Sequence, residues 1–141
     1  MPKYRNSTHS DIVVGSIRFP ALSDVEIKNF IEGTLPAGLT LISLDPIFNR
    51  VLLNEKYSKV ATNEFAISVP ENNETGEYVF SIYVSSGEFQ LECDIIPYSF
   101  TLAETIAQGQ TWGRKFSCRG INVIVLKCIA DGIAYVKIFK C

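Results

Sequence analysis

The chain has 141 residues, 47% hydrophobic, 20% charged and 11% aromatic, a balance that supports one buried core and excludes an intrinsically disordered chain. Its formal net charge of −2 carries no signature of a nucleic-acid binder, and no direct nucleic-acid contact is expected. No apolar run reaches membrane-spanning length and the opening MPKYRNSTHSD lacks the apolar centre of a secretory signal, so synthesis in the cytoplasm and no membrane association are expected.

The chain reads as a single domain over 1–141, with residues 1–11 as a polar N-terminal arm. Ile12 to Phe19 (IVVGSIRF) is a β-branched run interrupted at Gly15, as in a bulged or bent strand. Ser23 and Glu26 have capping-box spacing, and Ile27, Phe30 and Ile31 share one helical face ahead of Gly33, which predicts a helix. A strand over Asp24 to Ile31 stays open, because Val25 and Ile27 also alternate. Leu35-Pro36-Ala37-Gly38 reads as a turn, followed by strands at Leu39–Leu44 and Val51–Leu53 divided by Asp45-Pro46. Phe65, Ile67 and Val69 alternate with small residues until Pro70, and Glu71 to Gly76 (ENNETG) is a polar loop.

Two hairpins follow. Tyr78 to Val84 is apolar at almost every position, as in a strand covered on both sides. Glu88, Gln90, Glu92 and Asp94 alternate with Phe89, Leu91, Cys93 and Ile95, as in a strand with one wet face. Ser85-Ser86-Gly87 supplies a turn between them. Ile121 to Ala130 and Ile133 to Phe139 are joined by Asp131-Gly132, a two-residue hairpin signal. That second pair is apolar on both faces, so it either lies centrally in a sandwich or is half covered by another subunit. The expected class is all-β: a β-sandwich or partly closed barrel of about eight to ten short strands with at most one short helix.

No catalytic or cofactor-binding set emerges, so a non-enzymatic protein without cofactor or metal is expected. His9 is the single histidine and sits beside Ser10 and Asp11, where adjacent residues cannot converge as a triad does. Cys93, Cys118, Cys128 and Cys141 lack the close pairing of zinc ligands; Cys93 and Cys128 read as small core residues, with a Cys118 link to Cys128 or Cys141 as the alternative. Gly109-Gln110-Thr111-Trp112-Gly113 lacks the lysine and following helix of a phosphate loop and reads as a turn between strands. Glu71, Glu74 and Glu77 read as a solvated loop rather than a calcium site. Asn6-Ser7-Thr8 and Asn73-Glu74-Thr75 match the glycosylation pattern, which has no meaning without secretion.

Charge is distributed unevenly. Residues 111–141 carry six basic side chains against one acid, a net of +5, while the rest carries seven against fourteen, a net of −7. Such asymmetry suits complementary faces meeting between subunits, or a basic sheet edge that repels other edges. The expected protein-contact surface is the final hairpin with its approach, namely Trp112, Arg114, Lys115, Arg119, Tyr135, Lys137 and Phe139.

The order Gly109-Gln110-Thr111-Trp112, Phe116-x-Cys118-Arg119-Gly120, Val123-x-Val125-Leu126 and Ala134-Tyr135-Val136-x-Ile138 resembles the closing hairpins of small all-β virion structural proteins of tailed bacteriophages. The opening Tyr4-Arg5-Asn6-Ser7, with Ile12-x-Val14 and Ile17-Arg18-Phe19, is similar to the start of such proteins. The resemblance touches about half the chain and lies in strand rhythm. It implies a virion component made in the host cytoplasm, of the head decoration or cement type or the neck or tail ring-adaptor (head–tail connector) type. Its partners would be capsid or neck and tail proteins and copies of itself, as a homo-oligomer. The competing expectation is a carbohydrate- or receptor-binding β-module of a fibre or tail tip, using Trp112 with Tyr98 and Phe100 as a stacking platform.

Overall fold

The structure, a computed structural model, describes residues 1–43, 50–60, 63–68, 76–95, 98–118 and 123–140. Among these there is no helix and there are twelve strands: β1 (Lys3–Asn6), β2 (Ile12–Val14), β3 (Ile17–Phe19), β4 (Ser23–Glu26), β5 (Gly33–Thr34), β6 (Leu39–Ser43), β7 (Arg50–Lys59), β8 (Glu64–Ser68), β9 (Gly76–Ile95), β10 (Tyr98–Ala107), β11 (Thr111–Cys118) and β12 (Val123–Lys140). The fold is all-β and sandwich-like, and among the described residues no sheet closes into a barrel.

Two long antiparallel strands organise the molecule. β9 and β12 pair from Ile124 opposite Cys93 to Lys140 opposite Tyr78. One flank of this pair is β11 along the first half of β9 and β10 along the second; the other is β7 and β8 along β12. Laid flat, a 20-residue strand would be about 65 Å long. Yet Cys118, opposite Gly76 at one end, connects to Val123, near Cys93 at the other, through a link that reaches at most about 18 Å. The ribbon must therefore fold back on itself, and its two halves become facing layers. Phe80, Ile82 and Val84 from one half and Phe89, Leu91 and Ile106 from the other are all excluded from solvent, as the inner faces of a sandwich require.

The corner lies where sequence analysis expects two turns. Ser85-Ser86-Gly87 and Asp131-Gly132 do not end strands; both fall inside continuous ones, opposite each other, where the register slips between Cys128 and Ala134. Gly87 has φ +76°, and a Cβ there would lie 2.5 Å from the Ala130 carbonyl oxygen and 2.6 Å from that of Asp131. Two hairpin signals that face each other thus serve as paired bulges bending both strands.

The N-terminal segment forms a second, smaller layer. β1 is the middle strand of a three-stranded sheet between β4 and β6, so Lys3–Asn6, expected in an arm, is paired on both sides. Tyr4 and Asn6 are fully buried, and β2 and β3 form the adjoining hairpin around Gly15. The helix expected from Ser23 to Gly33 is instead strand β4 followed by irregular chain. Val25 pairs with Tyr4, and the Ser23 hydroxyl donates to the Pro20 carbonyl (2.6 Å) rather than capping a helix. So short a helix is marginal alone, and pairing with β1 supplies the stronger backbone partners. Ile27, Leu35, Leu39 and Leu41 join Tyr4 and Phe19 in a core closed from below by Val79 and Phe139. The expectations for residues 44–49, 61–62, 69–75, 96–97, 119–122 and 141 lie outside the described residues.

Candidate functional site

The first half of the long ribbon is buried on both faces, and the two faces differ. Strand alternation places Phe80, Ile82, Val136 and Ile138 inward, all at 0% exposure. The outer face carries Val79, Ser81 and Tyr83 from β9 opposite Phe139, Lys137 and Tyr135 from β12, with Gly113 and Thr111 of β11 alongside. Val79 and Phe139 are covered by the N-terminal sheet. Next to them the two layers enclose a cleft of about 460 Å³. Its floor is Ser81, Tyr83, Ser85, Thr111, Tyr135 and Lys137, and its opposite wall is Arg5, Thr40, Leu41 and Ile42.

Backbone hydrogen bonds hold the two layers in this relation. Ser7 N–H donates to the Gly38 carbonyl (3.0 Å), Gly38 N–H to Gly109 (3.0 Å) and Gly109 N–H to Val84 (2.7 Å). Leu35 N–H donates to the Thr111 carbonyl (2.7 Å). Gly109 and Gln110 thus lie in the turn entering β11, while Thr111–Gly113, expected in that turn, already belong to the strand, and the segment also anchors the smaller sheet.

Within the cleft, Tyr83 and Tyr135 stack across neighbouring strands, with ring centroids 6.2 Å apart and planes 26° from parallel. Lys137, half-buried, has no ion-pair partner among the described residues. Arg5 differs: its Nε and Nη2 donate to the two Asp24 carboxylate oxygens at 2.9 and 3.1 Å. Hydrogen bonding from that guanidinium holds the Asp24 carboxyl below its ordinary range. Thr111 is 1% exposed and its Oγ1 has no hydrogen-bond partner among the described residues. The Ser85 hydroxyl donates to the Ile133 carbonyl at 3.4 Å. Among the described residues the cleft therefore presents an aromatic pair, one cation without an ion-pair partner and hydroxyls, with no carboxylate in its lining.

The described residues expected as one contact surface are distributed over four environments. Trp112 points to the inner core opposite Ile82, at 1% exposure, and so offers no stacking platform to solvent. Phe139, also at 1%, lies in the core beneath the N-terminal sheet. Tyr135 and Lys137 line the cleft. Lys115 is exposed and Arg114 half-exposed, on opposite faces of β11; Arg119 lies outside the described residues. The apolar character of Ala134, Val136, Ile138 and Phe139 is accounted for by burial within this chain.

Sequence reading missed Tyr83, Thr111 and Arg5. One signal was present: Ser81 and Tyr83 interrupt an otherwise apolar strand at alternate positions, as Tyr135 and Lys137 do in β12. His9 is exposed and separate from the cleft. Cys93, Cys118 and Cys128 lie on β9, β11 and β12, Tyr98 and Phe100 on β10 and Glu77 on β9, and the expectations for their side chains lie outside what the structure describes, as do Glu71 and Glu74. Among the described residues no three metal-ligating side chains converge, and no helix is long and apolar enough to cross a membrane. Comparison with protein-family models, with curated proteins and with solved structures gives no match.

Proposed function

We propose that the chain is a non-enzymatic structural subunit of a bacteriophage virion, packing against capsid or neck and tail proteins and against copies of itself. The observation that carries this reading is the outer edge of β7, a ten-residue strand at the end of its sheet with no strand beyond it among the described residues. Such an edge is a template for strand addition. Its charges are self-complementary in one antiparallel register. With Tyr57 facing Tyr57 of a second copy, Glu55 meets Lys59 of that copy twice, and all three lie on one face because they alternate. The resemblance of its strand rhythm to that of small virion proteins supports the same reading by analogy alone.

Sedimentation-velocity ultracentrifugation tests the self-pairing: the wild-type chain forms a dimer, Glu55→Lys weakens it, and Glu55→Lys with Lys59→Glu restores it. Mass spectrometry of purified particles tests the virion role, which absence of the chain from every particle fraction would rule out. A carbohydrate- or receptor-binding module is the second reading, favoured by the tyrosine-lined cleft.

A further inference from the structure

We infer that the cleft between the N-terminal sheet and the long ribbon binds a saccharide unit bearing a carboxylate, with Lys137 as its charge partner and Tyr83–Tyr135 as its stacking surface. The inference deepens the second reading and is independent of pairing at β7.

The cleft's volume of about 460 Å³ lies in the range of small-ligand sites, about 300–1,000 Å³. Its chemistry is mixed as a sugar's is. A pyranose offers an apolar face of C–H groups, and Tyr83 and Tyr135, stacked on each other and both lining the cleft, offer aromatic carbon beside a polar hydroxyl. A sugar also carries hydroxyls that both donate and accept, matching Thr111, Ser81 and Thr40 in the lining.

Two features suit an occupant. Thr111 lines the cleft with its hydroxyl oxygen buried and without a hydrogen-bond partner among the described residues. Rotation about χ1 exchanges Oγ1 with the methyl group, turning the hydroxyl toward a ligand. Lys137 is a half-buried cation with no carboxylate to balance it among the described residues. Because Arg5 is already paired with Asp24, the described residues of the cleft offer one net positive charge. That matches a single carboxylate better than a doubly charged phosphate, for which Lys137 alone under-compensates.

Calorimetric titration of the full chain with glucuronic acid and N-acetylneuraminic acid tests the inference, with glucose, acetate, inorganic phosphate and a short peptide bearing a free C-terminus as comparisons. At least one acidic sugar binds, glucose and acetate bind at least tenfold more weakly, and Lys137→Gln weakens the acidic sugar at least tenfold. Tyr135→Ala abolishes binding while Tyr135→Phe retains most of it, and thermal unfolding verifies that each variant is folded. Equal binding of glucose and the acidic sugars would keep a carbohydrate module and remove the carboxylate partner. Tighter binding of the peptide or phosphate, an unaffected Lys137→Gln variant, or no binding by any sugar would each overturn the assignment.

Discussion

Asn6 shows how one buried polar side chain can organise a segment with few apolar residues. Its Nδ2 donates to the Ser10 and Phe19 carbonyls, each at 2.9 Å, while Oδ1 accepts from Thr8 N–H (2.9 Å) and Thr8 Oγ1 (2.7 Å). The residue is fully buried, so the glycosylation pattern at Asn6-Ser7-Thr8 presents no accessible amide. Asn6→Ala leaves several of these groups unpaired and is expected to cost about 2–4 kcal/mol in urea denaturation; a cost below about 1 kcal/mol would show that water replaces the side chain. Tyr4 adds a pH dependence. Burial pushes its phenol up to about 12 from 10.0, against a smaller lowering by the hydrogen bond from Ile31 N–H. The folded state thus holds this proton more tightly than the unfolded chain. Its stability contribution is intact below pH 10 and is lost as pH rises from 10 toward 12. Tyr4→Phe should show a shallower loss over that window, measured by denaturation at pH 8, 10 and 11.5.

At the scale of elements, the corner of the ribbon is the decisive feature. A Cβ at Gly132 would overlap the Ser86 carbonyl oxygen and lie 2.8 Å from the Gly87 Cα. Those contacts are backbone, which cannot rotate away, so Gly132→Ala is expected to destabilise by about 2–3 kcal/mol. The wild-type Tm at Gly132→Ala would show that the strands do not cross so closely. Leu22 makes the opposite case. It is the one non-glycine residue with positive φ (53°) among the described residues, and its side chain is 62% exposed. Leu22→Asn, which tolerates this conformation better, should raise stability by up to about 1 kcal/mol in the same assay.

For the whole molecule, the N-terminal sheet and the long ribbon share one core: Tyr4, Leu39 and Leu41 cover Val79 and Phe139. Thermal unfolding should therefore follow a single transition by both far- and near-ultraviolet dichroism. Deleting residues 1–43 uncovers the outer face of the ribbon, so the remainder should bind a hydrophobic dye such as ANS and aggregate. A truncated chain that stays monomeric and dye-negative would mean that the two layers are energetically separate. The same packing confines the cleft to the place where the sheets adjoin without filling the space between them.

Strand character was legible from residues alone, since alternation of Phe89 and Leu91 with Glu88 and Gln90, or the apolar run Tyr78–Val84, depends on side-chain period. So was the residual polarity of Lys137 and Tyr135 in an apolar strand. Only the tertiary structure decided what those patterns meant. Ser85–Gly87 and Asp131-Gly132 carry turn chemistry, but whether such a segment closes a hairpin or bends a continuous strand depends on what lies opposite, which here is the other segment. Likewise the double-faced apolar strand β12 did not reveal its cover, because burial by a distant part of the same chain and burial by a second chain demand the same residues. The cleft was illegible for the same reason. Arg5, Tyr83, Thr111 and Lys137 are far apart in sequence and meet because hydrogen bonds from Ser7 through Gly38 and Gly109 to Val84 place one sheet over another.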